Sequence, residues 1–188
     1  MLRHLASFLT FFVLAFSLSS AWADDYDDTI AVFRKARESG AYFGKSYGYA
    51  VFPTIGKGGV VVGGGYGKGR VYEKGKYVGD TSLTQLSVGF QLGGEAYSQI
   101  IFFENHQAFK EFTSGNFEFG AQAQAVAITA GASAAATTTG STAGASVTQN
   151  DAANAARSYK GMTTFTVAKG GLMYEASLGG QKYNYKKR

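Results

Sequence analysis

After Tyr47 the chain is dominated by short runs in which apolar residues alternate with polar residues or glycine, and that period of two predicts β-strands. Tyr49-Ala-Val-Phe52 is one such run and stops at Pro53. Gly59-Val-Val-Val62 is another and enters Gly63-Gly64-Gly65. Arg70-Val-Tyr-Glu73 and Lys76-Tyr-Val-Gly79 flank Lys74-Gly75, a connection that predicts a β-hairpin. Further strands are expected at Leu83 to Leu92 and at Tyr97 to Phe103, where unbroken Ile100-Ile101-Phe102-Phe103 reads as buried on both faces. Phe117 to Ile128 alternates too, with Phe117, Phe119, Ala121, Ala123 and Ala125 on one side and Glu118, Gln122 and Gln124 on the other. Met162 to Ala168, Gly171 to Leu178 and Gln181 to Tyr185 complete the strands ahead of the basic end Lys186-Lys187-Arg188.

Two stretches follow a helical period. Asp24-Asp25-Tyr26-Asp27-Asp28 precedes Thr29 to Arg37, so acids lead and bases end a helix whose apolar stripe is Ile30, Phe33 and Ala36, with Ser39-Gly40 as its stop. Asn105 to Phe112 is the second, with Phe109 and Phe112 one turn apart and Ser114-Gly115-Asn116 ending it. The first helix is expected to pack on the body; an alternative lays it on a membrane with Arg34, Lys35 and Arg37 at the lipid surface. Residues 1–23 read as a secretory signal peptide. Arg3 and His4 open it, Leu5 to Leu18 is largely apolar and short for a span, and Ala21-Trp22-Ala23 fits the cleavage pattern. Ala130 to Ala156 is almost entirely Ala, Gly, Ser, Thr and Asn, side chains too small to fix one conformation.

Composition narrows the chemistry. The 188 residues include 26 Gly, one Pro, 15 Phe and 12 Tyr, with only 16% charged, a balance that favours a folded, strand-rich body over a disordered one. Cysteine is absent, which excludes disulfides, thiol catalysis and thiolate metal sites. Only His4 and His106 are histidines, so the chain beyond the leader has no two-histidine metal site, and no cofactor is expected. Gly140-Ser-Thr-Ala-Gly144 places Thr142 where a nucleophilic serine would stand. Gly40-Ala-Tyr-Phe-Gly44-Lys45-Ser46 has three residues between its glycines where a phosphate loop needs four. Glu95 and Glu104 have no spacing that pairs them. The expectation is a protein without enzymatic activity.

Lys57-Gly58-Gly59 and Gly63-Gly64-Gly65-Tyr66-Gly67-Lys68-Gly69-Arg70 combine dense glycine with cations. Two readings fit: backbone N–H groups and cations approaching an anion, or a twisted strand whose glycines relieve crowding. The net charge of +5 suits anionic surfaces, while scattered lysines and the export signal argue against nucleic acid.

Several strings together resemble the SYLF family in order and spacing, over roughly Gly40 to Tyr183. They are Ala50-Val-Phe-Pro53, Lys57-Gly58-Gly59, Gly63-Gly64-x-Tyr66-Gly67-x-Gly69, Leu86-Ser-Val-Gly-Phe-Gln91, Tyr97-Ser-Gln-Ile-Ile101, Lys169-Gly170-Gly171-Leu172-Met173 and Ser177-Leu178-x-Gly180. The resemblance implies a phospholipid-binding domain. Eukaryotic members, yeast actin-patch proteins among them, bind phosphoinositides through basic residues and an amphipathic N-terminal segment, some are described as actin-binding, and bacterial relatives are commonly exported. It carries Lys57 and Lys169 over as basic positions, and departs from the family where Ser177-Leu178-Gly179-Gly180 lacks the usual glutamate.

The expectation is therefore an α+β protein: mostly antiparallel sheet, sandwich or barrel-like, two short flanking helices, and a single domain over residues 24–188. It would be exported to the periplasm and bind anionic phospholipid head groups of the bacterial envelope through Lys57, Lys68, Arg70, Lys169, Lys182, Lys186, Lys187 and Arg188. Phosphatidylglycerol or cardiolipin would be the ligand, with no nucleic acid and no identified protein partner. The alternatives are a small outer-membrane β-barrel and an envelope scaffold that meets protein or glycan through Tyr66, Tyr72 and Tyr77.

Overall fold

The computed structural model describes residues 21–59, 62–88, 95–128, 158–169 and 177–188, and Ala130 to Ala156 and most of the expected strand Gly171 to Leu178 lie outside them. Helix α1 (Ala21–Lys35) leads through the short α2 (Arg37–Gly40) and a 3-10 turn (Ala41–Gly44) into β1 (Gly48–Gly59), β2 (Val62–Glu73), β3 (Lys76–Val88) and β4 (Glu95–Phe103). Helix α3 (His106–Phe112), β5 (Phe117–Glu118), β6 (Val126–Ile128), β7 (Met162–Lys169) and β8 (Gln181–Lys187) follow. The fold is α+β. Its sheet runs β5-β8-β3-β2-β1-β4-β7-β6, antiparallel throughout except where β6 lies parallel to β7.

The sheet curls around one of its faces. β4 and β8 have three strands between them in the sheet, yet Gln99 Nε2 on β4 donates to Tyr183 OH at 2.8 Å and Gln181 Oε1 at 3.2 Å on β8. Gln181 Nε2 in turn donates to Gln85 Oε1 at 3.3 Å and Tyr97 OH at 3.2 Å, so buried amides and phenols from three strands meet inside. Around them Phe52, Ile55, Leu83, Ile101, Phe103 and Tyr183 form the inner core, which Phe112 of α3 closes from one side. Tyr26, Ile30 and Phe33 of α1 pack on the outer face against Tyr49, Val51, Tyr72, Phe102 and Phe165. Ile100 to Phe103 feeds both cores and is fully buried, as the unbroken apolar run implied.

Glycine makes the curl possible. Along β2, Gly65, Gly67 and Gly69 point inward and alternate with outward Tyr66, Lys68 and Arg70. A Cβ at Gly67 would lie 2.6 Å from Ile55 Cγ1, and one at Gly69 would lie 2.6 Å from the Phe52 ring. The two large β1 side chains thus lean directly over the β2 backbone. This is the crowding-relief reading of the glycine stretch. The outward glycines differ: a Cβ at Gly56 or Gly58 meets nothing within 4 Å.

Several boundaries depart from the sequence expectation. β1 continues through Pro53, because the register shifts there against both neighbours and a bulge needs no ladder N–H from proline. Ser98 Oγ donates to Pro53 O at 2.7 Å and fixes the bulge. Leu83 begins no new strand; Lys76–Val88 is continuous after the Lys74-Gly75 turn, whose φ values of 48° and 80° are those of a tight hairpin. Phe117 to Ile128 keeps its buried alternation at Phe117, Phe119, Ala123 and Ala125, but forms strands only at its two ends, with an isolated bridge between Gln124 and Ser177 in the middle, and exposes Ala121. Helix α1 starts at Ala21, taking the acidic run inside it, and breaks at Ala36 in extended conformation. Among the described residues a single-turn α2 is added to the two expected helices.

Gly69→Ala is expected to cost about 1–3 kcal/mol of stability, since the new methyl meets the Phe52 ring and Val51 O. Gly56→Ala is expected to change stability by less than about 0.5 kcal/mol. Urea unfolding of the two variants beside the parent checks the contrast, and equal losses would remove the steric account.

Candidate functional site

The hairpin register assembles a grid on the outer face. Arg70 of β2 pairs with Asp80 of β3, and Asp80 with Lys186 of β8. One pair further along, Lys68, Ser82 and Asn184 form a second row, and Tyr66, Thr84 and Lys182 a third. Because side chains two residues apart share a face, all three rows look outward together. Helix α1 covers the neighbouring part of this face and ends its cover at Tyr26, which becomes a wall. The result is an open groove of about 480 Å³ lined by Tyr66, Lys68, Arg70, Asp80, Asn184 and Lys186, with Tyr26 beside them.

Arg70 is the ordered member. Its guanidinium lies over the Tyr26 ring at 4.1 Å and the Tyr77 ring at 4.9 Å, so β3 and α1 clamp it from two sides. Tyr77 OH donates to Asp80 Oδ1, and Arg188 stacks on the same Tyr77 ring at 4.8 Å. Among the described residues the ion pairs within 4.0 Å are Lys160–Glu111 and Lys182–Glu118, so Lys68, Arg70 and Lys186 have no carboxylate that close. At the far end of the groove Tyr66 is 52% exposed and Leu86, a diagonal neighbour on β3, is 80% exposed.

The eight sequence candidates separate accordingly. Lys68, Arg70 and Lys186 line the groove. Lys182 flanks it, held 3.5 Å from Glu118, and Arg188 joins it through Tyr77. Lys169 Nζ donates at 2.9 Å to Thr54 Oγ1, and Thr54 is the register partner of Lys68, which puts Lys169 on the same face beyond β1. Lys57 is on the other side: its stem is within 3.3 Å of where an inward Cβ on Gly65 would be. Alternation also turns Lys187 away from Lys186. Tyr72, expected as an exposed contact, is only 9% exposed and belongs to the outer core, and Tyr77 is half-buried. Glu95 and Glu104 flank opposite ends of β4.

Sequence reading missed Tyr26 and Asp80. Tyr26 was legible, since it extends the Ile30 and Phe33 stripe by one turn. Asp80 was not, because a register shift between Val71 and Tyr72 moves it opposite Arg70.

The model of a family described as Ysc84, Las17-binding protein actin regulator, matches residues 84–187. No curated protein matches the chain. The matched stretch holds Lys169, Lys182, Lys186 and Lys187; Lys57, Lys68, Arg70 and Asp80 precede it and Arg188 follows.

Tyrosines under α1 hold their protons tightly. Burial pushes Tyr49 up to about 12, and burial also raises Tyr26 and Tyr72, with Arg70 opposing in both. A folded-state value above the ordinary 10.0 means the unfolded chain ionises first, so this contribution to stability is complete below pH 10 and is lost as pH rises toward about 12. Urea melts across that range are expected to show a falling unfolding free energy, with tyrosinate absorbance of the folded protein lagging behind that of the denatured chain.

Proposed function

The chain belongs to the SYLF family, a family of binding domains associated with lipid and actin rather than with catalysis, and from that premise we propose that it docks reversibly on anionic phospholipid through the outer-face groove. The observation that carries this reading is the convergence of Lys68, Arg70 and Lys186 in one open groove with no carboxylate of the described residues within ion-pair distance of them. A phosphate settling there meets three cations, together with neutral polar groups from Ser82 and Asn184. Tyr66 and Leu86 supply the apolar component at the groove's end, where an amphipathic ring and an exposed Leu suit the boundary between head groups and acyl chains. Lys169 and Lys182 extend positive charge along the same face and steer the approach over a Debye length. The leader read in residues 1–23 supports an exported protein, peripheral to a membrane of the bacterial envelope, with phosphatidylglycerol or cardiolipin as the anionic lipid.

Each surface cation contributes about 1 kcal/mol near an anionic leaflet, so Lys68→Gln with Lys186→Gln is expected to weaken retention on phosphatidylglycerol vesicles by about 30-fold. Retention is also expected to fall with added salt, and Leu86→Asp to weaken it at every salt concentration. Vesicle flotation at low and high salt checks all three. Equal recovery of the parent on phosphatidylglycerol and phosphatidylcholine would overturn the proposal.

A further inference from the structure

Among the described residues, Asp80 is the one carboxylate in a groove otherwise lined by cations and neutral groups. It is the register partner of both Arg70 and Lys186, yet it makes an ion pair within 4.0 Å with neither. Arg70, which could neutralise it, is turned onto the faces of Tyr26 and Tyr77 instead. The Tyr77 hydroxyl takes Asp80 Oδ1, and the side chain remains exposed. A pure anion gains nothing from this carboxylate and is repelled by it. A ligand that carries its own cation next to its phosphate gains from both.

We propose that, within the lipid-docking role on which this inference rests, the groove prefers a headgroup bearing a phosphate and a primary ammonium, the phosphate against Lys68 and Lys186 and the ammonium on Asp80. The spacing suits such a group. Lys68 stands one row from Asp80, two residues or about 7 Å along the strands, and Lys186 is beside Asp80 in its own row, so a phosphate joined to an amine through two carbons can lie between the two lysines with its amine toward Asp80. The ammonium must donate a hydrogen bond as well as carry charge, because an exposed ion pair without one is worth little. Phosphatidylethanolamine meets that condition. Phosphatidylcholine has the same formal charges and no N–H.

The test uses the whole chain on phosphatidylcholine vesicles doped with either phosphatidylethanolamine or phosphatidylglycerol, compared with phosphatidylcholine alone. Doping with phosphatidylethanolamine is expected to raise retention about five-fold, the worth of one well-placed exposed ion pair. Asp80→Asn, isosteric and at an exposed position, is expected to lower the ratio of phosphatidylethanolamine to phosphatidylglycerol retention by a similar factor, and Asp80→Glu to keep most of it. The inference is overturned if phosphatidylethanolamine adds nothing while phosphatidylglycerol still binds, or if Asp80→Asn leaves the ratio unchanged; either result leaves the anionic-lipid reading standing. Failure to bind any of the three vesicles sinks both. Binding of soluble O-phosphoethanolamine without vesicle retention overturns the lipid as its source.

Discussion

The fold depends on two large side chains crossing a stretch of strand whose inner face has none. Phe52 and Ile55 can lean over β2 only because Gly67 and Gly69 leave its inner surface bare. That close approach lets the sheet bend until β8 and β4, with three strands between them, exchange hydrogen bonds across the interior. Once the sheet is bent, its inner face is saturated by its own side chains and α3, and its outer face is the surface left for α1 and for ligands. The same strand therefore serves two purposes in alternate residues. Inward glycine sets curvature, and outward Tyr66, Lys68 and Arg70 set the chemistry. Of the two sequence readings of the glycine stretch, the close contacts at Gly67 and Gly69 bear out the relief of crowding.

Helix α1 decides where the outer face is open. Its Tyr26, Ile30 and Phe33 lie on an apolar patch of Tyr49, Val51, Tyr72, Phe102 and Phe165 that would otherwise face water. Without that cover the outer surface would be a continuous aromatic sheet, the kind of exposed apolar area that drives nonspecific association. With it, the exposed part is reduced to the polar rows of β2, β3 and β8, tipped by Tyr66 and Leu86. Tyr26 has a role on both sides of the division, packing beneath the helix and stacking on Arg70 at the groove wall.

Much of this was legible in the sequence and some of it could not be. Alternation located β4, β7, β8 and parts of β1 to β3, the Lys74-Gly75 hairpin and the doubly buried Ile100 to Phe103, because those signals are local. The bulge at Pro53 and the shift between Val71 and Tyr72 are not local; they are set by what neighbouring strands do. Those two displacements decide the facing of the candidate cations. The bulge sends Lys57 inward although it is near Lys68 in sequence, and the shift brings Asp80 opposite Arg70. The C-terminal run read as a basic end is instead mostly strand, with Lys186 and Lys187 on β8 and Arg188 donating its N–H to Val78 O at 3.0 Å. Facing, rather than position along the chain, sorted these lysines.

The clamp of two aromatic rings on Arg70 has a kinetic and entropic meaning of its own. A long cationic side chain ordinarily surrenders rotamer freedom when it grips a phosphate, a loss of roughly 0.5–1.5 kcal/mol. Two rings already hold the Arg70 guanidinium, so on the proposed reading that loss is largely met before a headgroup arrives. On that reading the fixed guanidinium plane would set the angle at which a headgroup comes to rest.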